Sequence, residues 1–397
     1  MLFVGTEFGC YFSNDNGQHW IQLKNGLPTI AVRDIELQRR ENDIVIATFG
    51  RGFYVLDDYS HLRNSKSLTI DKSAKIFPVR DALMYIQRTP IGLRDKGHLG
   101  SNYFTAANPT FGAQIRFYVK EENKKLKELR KEKEKAKLEK GEKIDYPSIE
   151  ELRAEDQQSD PYLFVTISDE NQQVIQHIKV PAKKGLNTVY WNLRSKLNSP
   201  INTRRSPEAD ELFGDFETGH LVMPGKYTAV ISKNVDGVIT QISDPISFNC
   251  KLLQQGKLQT KNMSENVAFY KKITETNREL GVVNNVFTKM KSEIQSMSSA
   301  ALDIPSSPKM FVEPLNAMTK KVNALAIELY GDGTKKSREF ETSPSVNDRL
   351  GTIEYALWNS SSSIPETYKE SYQIAVKKLE QIKSQIKELQ VEVKKIH

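Results

Sequence analysis

An imperfect repeat near the start of the chain limits what it can fold into more than any other feature. The segment Gly5-Thr6-Glu7-Phe8-Gly9-Cys10-Tyr11-Phe12 recurs in part as Ala47-Thr48-Phe49-Gly50-Arg51-Gly52-Phe53-Tyr54. A spacing of about 43 residues between short apolar segments is typical of β-propeller blades. Alternating apolar and polar residues predict strands at 2–6, 9–13, 20–23, 32–38, 43–49 and 52–57.

A turn with specific local chemistry lies between the second and third predicted strands. It reads Ser13-x-Asp15-x-Gly17-x-x-Trp20. The Asp15 carboxylate can accept backbone N–H groups of the turn, as Asx turns do. Gly17 tolerates backbone angles that other residues resist, and Trp20 can pack over the hairpin. We therefore interpret these residues as structural and not as catalytic.

Six strands are too few for a propeller, which needs at least four blades and must close on itself. The strand that begins near Met1 would leave an apolar sheet edge without a partner. We therefore expect this chain to be the C-terminal part of a longer protein, with further blades upstream. The alternative is that a partner chain pairs with the Met1 edge.

Composition narrows the class of protein. The chain has 397 residues, enough for several domains, and its charged fraction of 27% indicates much exposed helical surface. The net charge of +7 is modest and interleaved with Glu, which argues against nucleic acid as a partner. Cys10 and Cys250 fall in different predicted domains, which excludes a disulfide framework. No apolar run approaches the ~18 residues of a membrane span, and we expect Met1-Leu2-Phe3-Val4 to start a strand and not a signal peptide.

The N-terminal motifs also resemble a known family. Their order along the chain resembles the closing blades of large bacterial BNR-repeat proteins. The motifs are Gly-Thr-Glu-Phe-Gly, Ser-x-Asp-x-Gly-x-x-Trp, Gly-Leu-Pro, Val-Arg-Asp-Ile and Gly-Arg-Gly-Phe-Tyr-Val-Leu-Asp-Asp. Those proteins are similar to the sortilin (Vps10) propeller and to xyloglucanase-type glycosidases. The resemblance implies that Ser13, Asp15, Gly17 and Trp20 form a structural Asp-box on the face away from the active site. It also implies an extracellular, periplasmic or cell-envelope location, whereas the glycosyl hydrolase label of the family rests on fold similarity.

The predicted fold class is mainly β with α: terminal propeller blades, an immunoglobulin-like β-sandwich and a C-terminal α-helical bundle. We assign the blades to residues 1–64 and a linker or extended loop to 65–110. The sandwich takes 111–250, with Trp191 buried and a charged helical insertion at 121–158. The helical bundle takes 260–397.

The last predicted helix carries a heptad stripe of apolar residues. The residues at both ends favour a helix. Pro365 lies near the first turn, and the charges of Glu366 at the start and of Lys394 and Lys395 at the end suit the helix dipole. A bundle core explains the stripe best, and a coiled coil to a partner or a homodimer seam is the alternative. The stripe consists of Tyr368, Tyr372, Ala375, Leu379, Ile382, Ile386, Leu389, Val393 and Ile396.

One cluster of polar residues is a candidate ligand site. If the Asp-box marks one face of the blades, then Glu7, Arg33, Asp34 and Arg51 lie on the opposite face, close to the central opening. They would bind a ligand there, or they would only neutralise one another, with Arg33 and Arg51 paired to Asp34 and Glu7.

Sequence motifs for catalysis are missing. The chain has no nucleophile elbow, phosphate loop or dinucleotide fingerprint, and its histidines share no metal-ligand spacing. Sialidase chemistry needs three arginines with a Tyr/Glu pair, and ordinary glycosidases need two facing carboxylates. The adjacent Asp57 and Asp58 point to opposite sides of a strand and more simply end it. We predict no catalytic residue, metal or cofactor.

Three functions remain, one of which is a helical dimerisation module that would use the heptad stripe of the last helix; the other two come from different classes. The first is a non-catalytic C-terminal region of a BNR/sortilin-like propeller protein that closes the propeller and binds a protein or a glycan. The second is part of a secreted glycoside hydrolase whose active site lies mostly in upstream blades, with Glu7 or Asp34 as a working carboxylate.

Overall fold

The computed structural model describes residues 1–24, 26–68, 73–87, 102, 108–122, 124–144, 146–181, 183–196, 218–253, 263–303 and 308–395. The fold combines strands and helices, with several small sheets and a helical C-terminal region. The described residues contain no closed propeller. The chain divides into two compact units. One comprises 1–83, 107–192 and 224–251, and the other comprises 84–106, 193–223 and 252–397.

The first six strands form two antiparallel three-stranded sheets, in the orders β1-β2-β3 and β4-β5-β6. All six predicted strands are present to within two residues at each end. They share a core of Cys10, Val32, Ile44, Ile46 and Tyr59. The bounds are β1 Leu2–Thr6, β2 Gly9–Ser13, β3 Ile21–Leu23, β4 Val32–Gln38, β5 Asp43–Thr48 and β6 Phe53–Leu56.

The two small sheets are in close contact where Gly5 of β1 meets Val32 of β4. A Cβ atom at position 5 would lie 2.6 Å from Val32 Cγ1, so any larger residue would push the strands apart. Phe3 adds an edge-to-face contact with Tyr59 at a centroid distance of 5.3 Å. The repeat in the sequence therefore corresponds to two similar sheets packed through one core.

The rest of the first unit contains two further sheets. One is three-stranded, in the order β12-β9-β7, and the other has the order β11-β10-β15-β17-β8 with β16 paired to β15. Trp191 is fully buried, as predicted, and packs against Tyr227 and Phe248 of the larger sheet. The bounds are β7 Ala74–Ile76, β8 Ala82–Met84, β9 Ala113–Val119, β10 Tyr162–Ser168, β11 Val174–Pro181, β12 Gly185–Trp191, β15 Gly225–Val235, β16 Val238–Gln241 and β17 Ile246–Leu252.

The prediction of a linker or extended loop over 65–110 is wrong in part. A 3-10 helix runs over Tyr59–Leu68 into this stretch. Strand β7 pairs with β9, and β8 joins the edge of the larger sheet. Strands of three residues show no readable alternation, and their partners are distant in sequence, so local patterning does not reveal them. Residues 69–72, 88–101 and 103–107 of this stretch lie outside the described residues.

The charged insertion forms two helices, α1 over Leu126–Glu139 and α2 over Ile149–Gln157, with no buried residue among them. Arg130 of α1 reaches both Glu134 and Glu155, at 2.7 Å and 2.6 Å. Ser148 caps α2 by accepting the backbone N–H of Glu151. The helices are therefore held by ion pairs and caps at the surface, as the interleaved Lys and Glu residues predict.

The second unit contains a two-stranded sheet and five helices among its described residues. Strand β13, Arg194–Lys196, pairs with β14, Thr218–Leu221. The helices share a core of apolar side chains from every helix except the short α5. Their bounds are α3 Met263–Ala300, α4 Pro308–Tyr330, α5 Gly333–Lys336, α6 Val346–Trp358 and α7 Glu366–Lys394.

The heptad stripe of α7 lies inside this bundle. Ala375, Leu379, Ile382, Ile386, Leu389 and Val393 are buried, and Tyr368 and Tyr372 pack beside them. Ile396 lies outside the described residues. The stripe is covered by helices of the same chain, so the homodimer seam expected as an alternative has no exposed stripe to use.

Candidate functional site

Two hairpin turns of the same design lie at one end of the N-terminal sheets. In the β1–β2 turn, the Thr6 hydroxyl donates to the Gly9 carbonyl at 3.1 Å. In the β5–β6 turn, the Thr48 hydroxyl donates to the Gly52 carbonyl at 2.7 Å. The repeated threonine therefore closes both turns and presents the residues between them, Glu7 and Phe8 in one and Phe49 to Arg51 in the other.

Arg33 connects the two turns. Its Nη1 atom lies 3.1 Å from Glu7 Oε1, and its guanidinium lies over the Phe49 ring at 5.0 Å from the centroid. About half of the Arg33 side chain and two thirds of the Glu7 side chain are exposed. An exposed pair of this kind contributes about 0–1 kcal/mol to stability, so the group is available to a ligand at small cost.

Arg33 lies at a β-bulge in β4. The register between β4 and β5 shifts between Val32 and Asp34, so Arg33 has no residue opposite it on β5. Bulges of this kind bend a strand and redirect a side chain, and they are frequent near functional sites. Arg33 lies at the predicted end of the strand, whereas the bulge and the contact with Phe49 have no signal in the local sequence.

The predicted group of four is only partly assembled. Glu7 and Arg33 pair with each other. The Asp34 carboxylate instead accepts its neighbour's backbone N–H, that of Ile35, at 2.9 Å. Within the described residues, Arg51 forms no ion pair with Asp34 or Glu7, and its guanidinium is exposed in the turn between Gly50 and Gly52. The neutralisation is therefore confined to the Arg33–Glu7 pair, and the pairing of all four residues stays a prediction.

Exposed aromatic rings lie among these charges. Phe8 is 69% exposed and Phe49 is 67% exposed, far more than aromatic side chains in a core. Flat apolar rings beside a guanidinium and a carboxylate suit a partner that has both apolar C–H surface and hydrogen-bonding groups. The described residues of this group do not place two carboxylates across a cleft, which is the arrangement that glycoside hydrolysis by acid and base needs.

The Asp-box residues form a closed turn at the other end of β2. The Ser13 hydroxyl donates to Asp15 Oδ1 at 2.7 Å, and Asp15 accepts the His19 backbone N–H at 2.9 Å. The His19 ring adds a contact from Nδ1 to Asp15 Oδ2 at 2.7 Å. Gly17 has φ +92°, and the nearest indole atom of Trp20 would lie 3.8 Å from a Cβ atom at this position. The Asp15 carboxylate therefore interacts with Ser13 and His19 of the same turn.

A buried ionic cluster lies where β6 ends. Asp58, at φ +51°, terminates the strand, and its side chain is only 8% exposed. Arg116 of β9 reaches the Asp58 carboxylate at 3.3 Å and donates to the backbone carbonyls of Asp57 and Asp58 at 3.1 Å and 2.6 Å. Burial, with the Arg116 charge, lowers the pKa of His61, whose Nδ1 lies 2.8 Å from the Asp58 carbonyl. The cluster joins the small sheets to β9. No local sequence pattern predicts it, because its partners are about 58 residues apart.

Other kinds of site are not found in the part of the chain that the structure describes. No group of three or more His, Cys, Asp or Glu side chains is arranged to hold a metal ion there. No helix among those residues is long and apolar enough to cross a bilayer.

Comparisons with known proteins add little. No family model and no curated protein sequence matches the chain. A solved structure titled "Biofilm associated protein - BSP domain" aligns with 63% of this chain and 23% of that chain, at 10% sequence identity and a TM-score of 0.16. The alignment thus spans less than a quarter of the length of that protein, and a likeness this weak supports no statement about fold or function.

Proposed function

We propose that this chain is a non-catalytic, C-terminal region of a BNR/sortilin-like propeller protein that closes the propeller and binds a glycan or a protein. The two N-terminal sheets would be parts of its closing blades. The sheets around Trp191 would be the immunoglobulin-like sandwich, and the helical bundle would follow it. The proposed extracellular, periplasmic or cell-envelope location rests on the family resemblance.

Both outer faces of the paired small sheets support the presence of neighbouring blades. Leu2 and Val4 alternate with the core residue Phe3 and are 46% and 38% exposed. Phe53 and Val55 alternate with Tyr54 and Leu56 and are 76% and 59% exposed. Apolar residues on both outer faces are what a blade presents to the next blade. The neighbours would be upstream blades or a partner chain at the Met1 edge.

The single observation that carries the binding role is the Arg33 group: a guanidinium on a β-bulge, paired with Glu7 and lying over the exposed Phe49 ring. A sugar offers hydroxyl groups to the two charges and a C–H face to the ring. Because the group is exposed and weakly coupled, a ligand can displace the Arg33–Glu7 contact at little cost.

A glycan array probed with the labelled chain tests this role. We expect binding to at least one glycan class, reduced tenfold or more by Arg33→Met and by Phe49→Ala. Arg40→Met is the matched control, because Arg40 follows the opposite end of the same strand, is itself exposed and, among the described residues, forms its ion pair with the adjacent Glu41. Equal binding by the Arg33 and Arg40 variants, or no binding to any glycan, would count against the glycan form of the proposal.

The second candidate is a glycoside hydrolase whose active site lies mostly in upstream blades. Glu7 supports it only as an exposed carboxylate at the turn end of the sheets. The non-catalytic proposal predicts no turnover of chromogenic glycosides by this chain. Hydrolysis that is abolished by Arg51→Ala or Glu7→Gln would favour the hydrolase.

A further inference from the structure

A groove lies between the N-terminal parts of α3 and α7 in the helical unit. Its volume is about 330 Å³, which is within the range of pockets that hold small molecules. Glu265, Ala268, Phe269 and Lys272 line it from α3, and Lys369, Tyr372 and Gln373 line it from α7. It is separate from the Arg33 group and does not depend on the role proposed for that group.

The floor of the groove is apolar. The Phe269 and Tyr372 rings meet edge to face with centroids 5.4 Å apart, and Ile364 beneath them is 8% exposed. The Tyr372 hydroxyl is fixed by a 3.0 Å hydrogen bond with Thr276. Ala268 is exposed at the edge, and its small side chain keeps the groove open. An apolar ring or chain would lie here against preformed aromatic walls.

The two lysines at the rim of the groove differ in their ion pairing. Lys369 is paired with Glu265 at 3.2 Å and with Glu366 at 3.5 Å, and its hydrogen bond with Glu265 raises the pKa of Lys369. Within the described residues, Lys272 has neither an ion pair nor a hydrogen bond, and the same holds for the Gln373 amide. Lys369 is thus neutralised by Glu265 and by Glu366 beside the lining, and the Lys272 ammonium and the Gln373 amide are the groups of the lining that are available as donors.

We propose that this groove binds a small organic anion, with its apolar body on Phe269 and Tyr372 and its carboxylate toward Lys272 and Gln373. The apolar floor supplies contact area, and the Lys272 ammonium supplies the preference for an anion over its neutral analogue. The interaction weakens as salt is raised, because Lys272 is exposed.

Isothermal titration of the full chain with indole-3-acetate tests the proposal, with the neutral indole-3-acetamide as the matched probe. We expect the acid to bind at least fivefold more tightly than the amide. Lys272→Met should remove that preference, and Ala268→Phe should abolish binding of both probes by filling the groove. Lys271→Met, at the adjacent exposed position outside the lining, is the control and should bind like the unaltered chain.

Circular dichroism of each variant establishes that the helices are retained before binding is compared. The proposal is overturned if the acid and the amide bind the unaltered chain equally. It is also overturned if Lys272→Met and Ala268→Phe both bind the acid normally, or if millimolar indole-3-acetate gives no heat and shifts no α3 or α7 resonance in NMR spectra.

Discussion

Arg116 shows how one side chain can hold together elements that are distant in sequence. It satisfies the buried Asp58 carboxylate and two strand-end carbonyls at once. Replacing one partner of a buried ion pair leaves the other charge uncompensated, which typically costs 3–5 kcal/mol. Since the Arg116 side chain is 14% exposed, we expect Arg116→Met to lower the free energy of unfolding by about 3 kcal/mol, measured by urea unfolding.

Arg40→Met provides the comparison for this prediction. Arg40 is 82% exposed and pairs with its neighbour Glu41, so its loss should cost less than about 1 kcal/mol. If the two arginine variants unfold at the same urea concentration, the Asp58 cluster does not stabilise the fold.

His220 gives the helical unit a defined pH dependence. Its ring stacks on Tyr270 at 4.9 Å, its Nδ1 lies 3.3 Å from Ser195 Oγ, and Glu354 and Trp358 of α6 line the same small cavity. Burial, with the nearby charges of Lys271 and Arg194, lowers the pKa of His220 from 6.5 to about 4. The unfolded chain therefore binds the proton first as the pH falls below about 6.5.

We expect this histidine to remove stability progressively between pH 6.5 and about 4, by roughly 3 kcal/mol in total. Burial raises the pKa of Glu354, which acts in the opposite direction, and the lowered pKa of His61 acts in the same direction. The test is therefore the difference in unfolding free energy between the unaltered chain and His220→Gln across this range. A difference that does not change with pH would contradict the assignment.

At the scale of elements, the sequence predicts best where the periodic pattern is long. Strands β1 to β6 follow the repeat closely, and α7 follows its heptads. Strands β7 and β8 were not predicted because three residues carry too little alternation and their partner strands are distant in sequence. The Val32–Asp34 bulge was missed for a related reason: it depends on the register against β5 and not on any local preference.

In the candidate site, too, local patterns predict some features, and contacts between distant residues produce the others. The pairing of Glu7 with Arg33 follows from placing both at one end of the sheets. The Arg33–Phe49 contact forms at the bulge, and a register shift between strands has no local sequence signal. The α3–α7 groove joins residues about 104 positions apart, and a heptad stripe marks only the core beside it.

At the scale of the whole molecule, the chain has two compact units with separate cores. The helical core contains Leu379, which is 1% exposed, whereas Ile374 on the same helix is 43% exposed. Truncating a buried leucine to alanine costs roughly 2–5 kcal/mol, and an exposed isoleucine costs far less. Two cores that unfold independently give two thermal transitions instead of one.

We therefore expect calorimetry to resolve two transitions. Leu379→Ala should lower the midpoint of one of them by several degrees, and Arg116→Met should lower only the other, because Arg116 belongs to the β-rich unit. Ile374→Ala should leave both midpoints within a degree or two. If Leu379→Ala and Arg116→Met shift the same transition equally, the two cores unfold cooperatively. A ligand of the α3–α7 groove would then stabilise both units, whereas independent unfolding confines its effect to the transition that Leu379→Ala moves.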